Sequence, residues 1–377
     1  MPLVGVPNCQ YNALDSVCQY SGIPVGPVLP VNWNTGYWNT ETMLRKNIAI
    51  DLGTANTLVW VAGVGLVANE PTVVAISSDD NKVVAVGEDA KKMLGRTPDS
   101  LIASRPMREG VIADYQVTEA MLKYFIGKVL GKFTLLKPNV MVCVPAGCTQ
   151  VERRAALDAT LAAGAGRAYL IDEPLAAAIG AQIPVSAPSG HMIVDIGGGA
   201  AEAAVISLGG VVVHKSVRIA GNKIDEAIQA YLKKKHNLII GDTTAENVKI
   251  KIGSATNLTQ QEKHELSGRD LVFGLPRSIV VTSDDITEAM HPALVQIVGA
   301  VKAVLEDTPP ELAADIIDKG IVMSGGTSLL RNFDKFMTQE TGVPAHVAED
   351  ALFCVVRGTG LVLENIELWK RSVTTKG

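Results

Sequence analysis

Two short segments of this chain pair an aspartate with a run of small residues in a pattern suited to anion chemistry. The first reads Ile48-Ala49-Ile50-Asp51-Leu52-Gly53-Thr54-Ala55-Asn56-Thr57 and runs into apolar Leu58-Val59-Trp60. The second, about 140 residues later, reads Met192-Ile193-Val194-Asp195-Ile196-Gly197-Gly198-Gly199 and runs into residues 203–208. Each reads as strand, aspartate, small-residue turn, strand. Glycines let the main chain approach a ligand closely. Successive N–H groups then converge into an anion-binding nest, and Thr54, Asn56 and Thr57 offer side-chain donors. An aspartate beside phosphate is repulsive unless a cation intervenes, so Asp51 and Asp195 suit a pair that orients Mg2+ through its waters. Either segment alone is equally well read as an ordinary hairpin turn; the two together, in order, favour a shared phosphate site.

The elements that must position these turns follow from periodicity. Residues 48–50, 58–61, 73–76, 140–144, 192–194 and 203–207 read as strands, and 117–130, 150–163, 223–235, 286–305 and 329–340 as amphipathic helices. Strands mixed with helices predict an α/β fold with mixed sheets. The repeated strand-Asp-turn unit predicts two similar halves facing each other across a cleft.

With these residues in place, the chain resembles the actin-like ATPase superfamily, and within it the MreB family, from about residue 43 to 369. Asp51 to Thr57 has the form of that family's first phosphate turn. The segment from Val144-Pro145 to Glu152-Arg153-Arg154 is similar to the one linking the halves. Ile171-Asp172-Glu173-Pro174-Leu175 resembles the start of the catalytic-glutamate helix, Thr244-Ala245-Glu246-Asn247-Val248-Lys249 the ribose-binding helix, and Ser324-Gly325-Gly326 the adenine-side turn. Gly268-Arg269-Asp270-Leu271 and Gly358-Thr359-Gly360 also fit.

The resemblance implies an actin-like ATPase fold with five-stranded-type mixed sheets. The first half would span 43–182 with a small subdomain at about 74–115. The second would span 183–354 with a small subdomain at about 223–284, and 355–377 would return to the first half. It implies ATP with Mg2+ held by Asp51, Asp195, both glycine turns and Gly221, the ribose by Glu246 and Lys249, and the adenine against Gly325 and Gly326. Glu173 would polarise the attacking water, although adjacent Asp172 offers an alternative carboxylate. It also implies homopolymeric filaments on the inner face of the cytoplasmic membrane, a role in rod shape, and contact with the cell-wall synthesis machinery. Leu135 and Leu136 would dip into the membrane surface.

Two positions depart from the family pattern. Two threonines generally follow the three glycines, where this chain has Ala200 and Ala201, whose side chains neither donate nor accept. An acidic residue usually follows Gly221, where this chain has Asn222. Losing one water-positioning hydrogen bond costs about 1–3 kcal/mol, so slow turnover is expected. The competing reading is a polymer that keeps ATP as a structural ligand. A metabolite kinase would need an acceptor pocket with its own aspartate, and a heat-shock chaperone a further substrate-binding domain.

Bulk composition narrows the rest. A net charge of −5 argues against general nucleic-acid binding. Cysteines at 9, 18, 143, 148 and 354 match no zinc spacing, and Cys143 and Cys148 read as simply buried. No uninterrupted apolar run of about 18 residues or secretory leader is evident, so a cytoplasmic location is expected. Residues 1–42 contain no Lys or Arg, are proline-rich and lack periodicity. They read as a poorly ordered or spurious upstream extension, with Met43 as the expected true start.

Overall fold

The structure is a computed structural model that describes residues 45–79, 82–108, 110–131 and 136–377. The expectations for 1–42, for Met43 and for Leu135 lie outside these residues.

Two central sheets carry the fold. In the first, Asn47–Leu52 forms an antiparallel meander with Asn56–Val61 and Gly65–Pro71. On its other side it pairs in parallel with Asn139–Val144, which pairs in parallel with Arg167–Asp172. The second repeats that order. His191–Ile196 heads a meander with Ala201–Ser207 and Gly210–Val217, then pairs in parallel with Ile321–Ser324, which pairs with Ala345–Val347. The second sheet has five strands, as expected. The first has six because Val373–Lys376 adds antiparallel to Arg167–Asp172. This architecture is α/β and actin-like.

The sequence explains the central strands. Asn139–Val144 and His191–Ile196 are buried along their whole length. Both are near-continuous apolar runs, as a strand covered on both faces requires. Helices cover the faces, and local capping fixes their starts. Thr149 and Glu152 form a reciprocal capping box at the start of Gln150–Ala162, and Thr282 and Asp285 do the same for Ser283–Asp307. The latter helix is long and apolar enough to match a membrane span, yet its Ile286, Met290, Leu294, Ile297 and Val301 lie in the core beneath the second sheet.

One expected helix is shorter than its periodicity suggested. Instead of beginning at 329, it spans Phe333–Thr341 and is preceded by a 3-10 turn, Gly326–Leu329. Leu330 is extended and Asn332 is left-handed, with φ 57°, which breaks the helical path.

Two small units rise from the large sheets. One has three strands, Val74–Ser77 between Val83–Val86 and Leu101–Ser104, with the helix Glu88–Met93. The other has Leu238–Ile239, Lys263–Asp270 and Pro276–Thr282, with the helix Asp242–Ile252.

Candidate functional site

A cavity of about 460 Å³ lies where the two aspartate turns meet. That volume is in the range of small-molecule and cofactor sites. The turns touch directly: a Cβ on Gly198 would lie 2.7 Å from Ala55 Cβ, and one on Gly199 would lie 2.3 Å from Thr54 Oγ1. Small residues are therefore required for the approach of turn to turn as well as for ligand access.

Asp51 and Asp195 both line the cavity. Each is held from the neighbouring parallel strand. Cys143 Sγ donates to Asp51 Oδ1 at 3.3 Å, and Ser324 Oγ donates to Asp195 Oδ1 at 2.7 Å. Burial, reinforced by Asp195, pushes Asp51 up to about 7, and burial pushes Asp195 up to about 6. Ser324, expected on the adenine side, therefore serves the carboxylate, while Gly325 and Gly326 continue into the cavity wall.

Glu173 begins the helix Glu173–Gly180 and also lines the cavity. Its helix is pinned by a close crossing with Cys354–Glu364. A Cβ on Gly180 would lie 1.8 Å from Cys354 O, and one on Gly358 would lie 1.8 Å from Ala176 O. Asp172, the alternative carboxylate, is engaged elsewhere: Arg153 Nη2 donates to its Oδ1 at 2.5 Å. The Glu173 carboxyl is pushed well above its ordinary value by burial and then by Glu202, Asp51, Asp195 and Asp172. Glu202 accepts from Ala146 N at 3.1 Å through Oε2, while its buried Oε1 has no partner. Burial pushes it up to about 7. Sequence reading passed over Glu202 because it sits inside an apolar strand.

The expected donors divide. Gly53, Thr54, Ala55 and Asn56 line the cavity, as do Gly197, Gly198 and Gly199. Thr57 does not; it is fully buried and hydrogen-bonded to Thr72, whose hydroxyl donates to Gly53 O at 2.6 Å. Thr57 thus braces the turn from behind rather than offering a donor to a ligand. The two alanines divide as well. Ala200 lines the cavity, whereas Ala201 is part of the core beneath the second sheet.

Gly221 and Asn222 line the cavity and tie down the second turn: Gly221 N donates to Gly197 O at 3.2 Å and Asn222 N to Gly198 O at 2.8 Å. Thr327 Oγ1 donates to Gly197 O at 2.7 Å. Glu246 and Lys249 share one helical face and both line the cavity, where Ile250, Leu330 and Leu352 add an apolar wall. Lys249 Nζ is paired with Asp225 Oδ1 at 2.8 Å and donates to Gly221 O at 3.2 Å. Asp225, also in the wall, was not anticipated; burial pushes it up to about 6 against the opposing pull of Lys249. Leu136 is exposed.

This arrangement can be compared with known proteins. The family model described as MreB/Mbl protein matches residues 45–371. The chain belongs to the MreB/Mbl family. It is 52% identical over 331 residues to the cell shape-determining protein MreB of Escherichia coli, covering 86% of this chain and 95% of that one. It is 48% identical over 325 residues to the cell shape-determining protein Mbl of Bacillus cereus, covering 86% and 98%. Among solved structures, MreB 5 of Spiroplasma citri bound to AMPPNP is 37% identical with a TM-score of 0.82, covering 87% of this chain and 98% of that one. A MamK double helical filament, at 21% identity, TM-score 0.71 and coverage of 85% and 99%, shares the fold.

In this MreB/Mbl family member the carboxylate cluster suits a divalent cation. Asp51, Asp195, Glu173 and Glu202 are buried together; burial raises all four, and repulsion from neighbouring carboxylates adds to it at Asp51, Glu173 and Glu202, which favours their protonated forms. A cation between Asp51 and Asp195 would offset that repulsion, and both aspartates face the space where it would lie. Among the described residues no group of three or more His, Cys, Asp or Glu side chains forms a metal cage.

Proposed function

We propose that this chain binds ATP with Mg2+ at the junction of the two turns and uses it to control self-association into membrane-associated filaments. Those filaments would set rod shape and organise wall synthesis; the MreB and Mbl relatives are named cell shape-determining proteins, which supports the shape role. The observation that carries the nucleotide part is the pair Asp51 and Asp195 facing one cavity whose floor is two abutting small-residue turns. The Spiroplasma citri relative has been solved with AMPPNP and with ADP, which supports the same ligand class here.

The first turn would hold phosphate oxygens through its main chain, Thr54 and Asn56, and the second through Gly197 to Gly199. Mg2+ supplies charge neutralisation of the phosphates when bound. Glu246 and Lys249 would hold the ribose hydroxyls, and the adenine would rest against Gly325, Gly326 and the apolar wall. Glu173 would orient the attacking water and accept its proton as the bond to the leaving phosphate breaks. Burial, and then the neighbouring carboxylates, push the Glu173 carboxyl upward, which makes its charged form a stronger base but harder to populate. Asp51 and Asp195 would hold the cation, whose positive charge would favour the charged form of Glu173.

A second reading has its own support. Ala200 faces the cavity where a hydroxyl would help place water, and its methyl group supplies none. ATP would then serve mainly as a structural ligand of the polymer. Phosphate release recorded alongside light scattering separates the two: release tracking polymer growth supports the ATPase, and polymer without release supports the structural role. A chain that takes up no purine triphosphate overturns both.

For the membrane, Leu136 with Leu135 would contribute at most about 3–6 kcal/mol per subunit. That is marginal for one molecule and becomes avid when repeated along a filament. Full co-sedimentation of a Leu135→Ser, Leu136→Ser polymer with liposomes would overturn this part.

A further inference from the structure

The two residues placed at the ribose are not supported alike. Lys249 is held from its own half: Asp225, on the neighbouring helix Gly221–His236, pairs with it at 2.8 Å, and the Gly221 carbonyl accepts from it. Glu246 is held from across the cleft. Lys91 Nζ lies 3.7 Å from Glu246 Oε2. Lys91 belongs to the helix Glu88–Met93 of the first small unit, and Glu246 to the helix Asp242–Ile252 of the second. Asp225 thus pairs with Lys249 and Lys91 with Glu246, and the second pair joins the two sides of the cavity.

We infer that Lys91 is a positioning residue for ribose recognition, aiming the Glu246 carboxylate at the sugar hydroxyls only while the two small units are close together. The inference rests on the nucleotide reading above and adds to it a coupling between sugar identity and cleft closure. A carboxylate that accepts from a ribose hydroxyl still has a second oxygen for Lys91, so ligand and lysine reinforce each other. When the units separate, Glu246 loses its cation while Lys249 keeps Asp225. The clasp then opens from one side only, and a nucleotide leaves past Glu246.

The helix itself supplies a control. Lys92, the next residue, pairs with Asp89 at 3.1 Å on the same helix and is more exposed. A charge change there alters the net charge equally, and breaks only an exposed pair within the helix, without removing the cation beside Glu246.

The test uses the full chain with Mg2+, with ATP and 2′-deoxy-ATP affinities measured by calorimetry and ATP release by radiolabel chase at low and high salt. Lys91→Glu should weaken ATP binding and speed its release by about tenfold at low salt, an effect that fades as salt screens the pair. Discrimination between ATP and 2′-deoxy-ATP should shrink. Lys91→Arg should retain most of the wild-type behaviour, and Lys92→Glu should match wild type. Because exposed ion pairs add little to folding stability, the melting temperature of the nucleotide-free chain should not move. If wild type binds ATP while Lys91→Glu releases it at the wild-type rate and discriminates the sugars equally well, the inference is overturned. If wild type binds no ATP, the failure lies in the function proposed above.

Discussion

The thiol of Cys143 points at the carboxylate of Asp51, with Sγ 3.3 Å from Oδ1. The corresponding place in the second sheet holds Ser324, whose hydroxyl donates to Asp195 at 2.7 Å. Both donors sit on the parallel strand beside the aspartate, so the two halves use one design with different atoms. A thiol is the weaker donor, which leaves Asp51 less firmly held than Asp195.

Cys143→Ala removes that donor and should shift the Mg2+ dependence of nucleotide binding to higher concentration, by about tenfold if one hydrogen bond to a charged group is lost. Cys143→Ser should leave it unchanged or lower it. A magnesium titration of ATP binding in the three proteins checks this. Equal midpoints in all three would show that the thiol is only filling space.

The buried carboxylates set the sign of a pH dependence. Their ordinary values are 3.8 for Asp and 4.5 for Glu, whereas Asp51 and Glu202 reach about 7 and Asp195 about 6. Between those limits the folded chain binds more protons than the unfolded chain. The stability of the nucleotide-free protein should therefore fall as pH rises from about 5 to 7. Mg2+ with nucleotide should flatten that slope. Melting curves across this interval, with and without ligand, provide the measurement, and a rise in nucleotide-free stability over the same interval would contradict it.

The adjacent alanines should respond differently to the same change. Ala200→Thr places a hydroxyl in the cavity and should raise single-turnover hydrolysis by about tenfold to a hundredfold. Ala201→Thr places one in a packed core and should lower stability by about 1–3 kcal/mol. It should leave hydrolysis little changed. Single-turnover rates and denaturant midpoints separate the two.

Gly358→Ala should be among the costlier single-methyl additions in the chain. The new Cβ would meet Ala176 O at 1.8 Å, and relief by moving the helix Glu173–Gly180 would shift Glu173. A loss of about 3 kcal/mol in unfolding free energy is expected. Turnover should fall with it, because the same helix starts with the proposed base.

Much of the site was legible because its chemistry is local in sequence. The turn residues 51–56 and 195–199 announce themselves by composition, and Glu246 and Lys249 by helical spacing. What stayed hidden depends on contacts between distant segments. Thr57 looked like a donor until Thr72 was found against it, and Cys143 looked like filler until its strand was set beside Asp51. Asp225 and Lys91 carry no motif, and only packing gives them partners. The helix expected from 329 starts at 333 because periodicity does not register the left-handed Asn332. The sixth strand of the first sheet arises from a short polar tail, Val373–Lys376, with little apolar signal of its own.

The contact of Gly198 with Ala55, and of Gly199 with Thr54, leaves no slack at the phosphate end. Two sides that abut at these turns and are linked across the opening by the partly exposed Lys91–Glu246 pair would have the mechanics of tweezers. They spread at the tips while the fulcrum stays shut. In such a device the base and sugar would be the first parts of a bound nucleotide to be uncovered and the phosphates the last, so the proposed exchange and hydrolysis would be governed from opposite ends of one ligand.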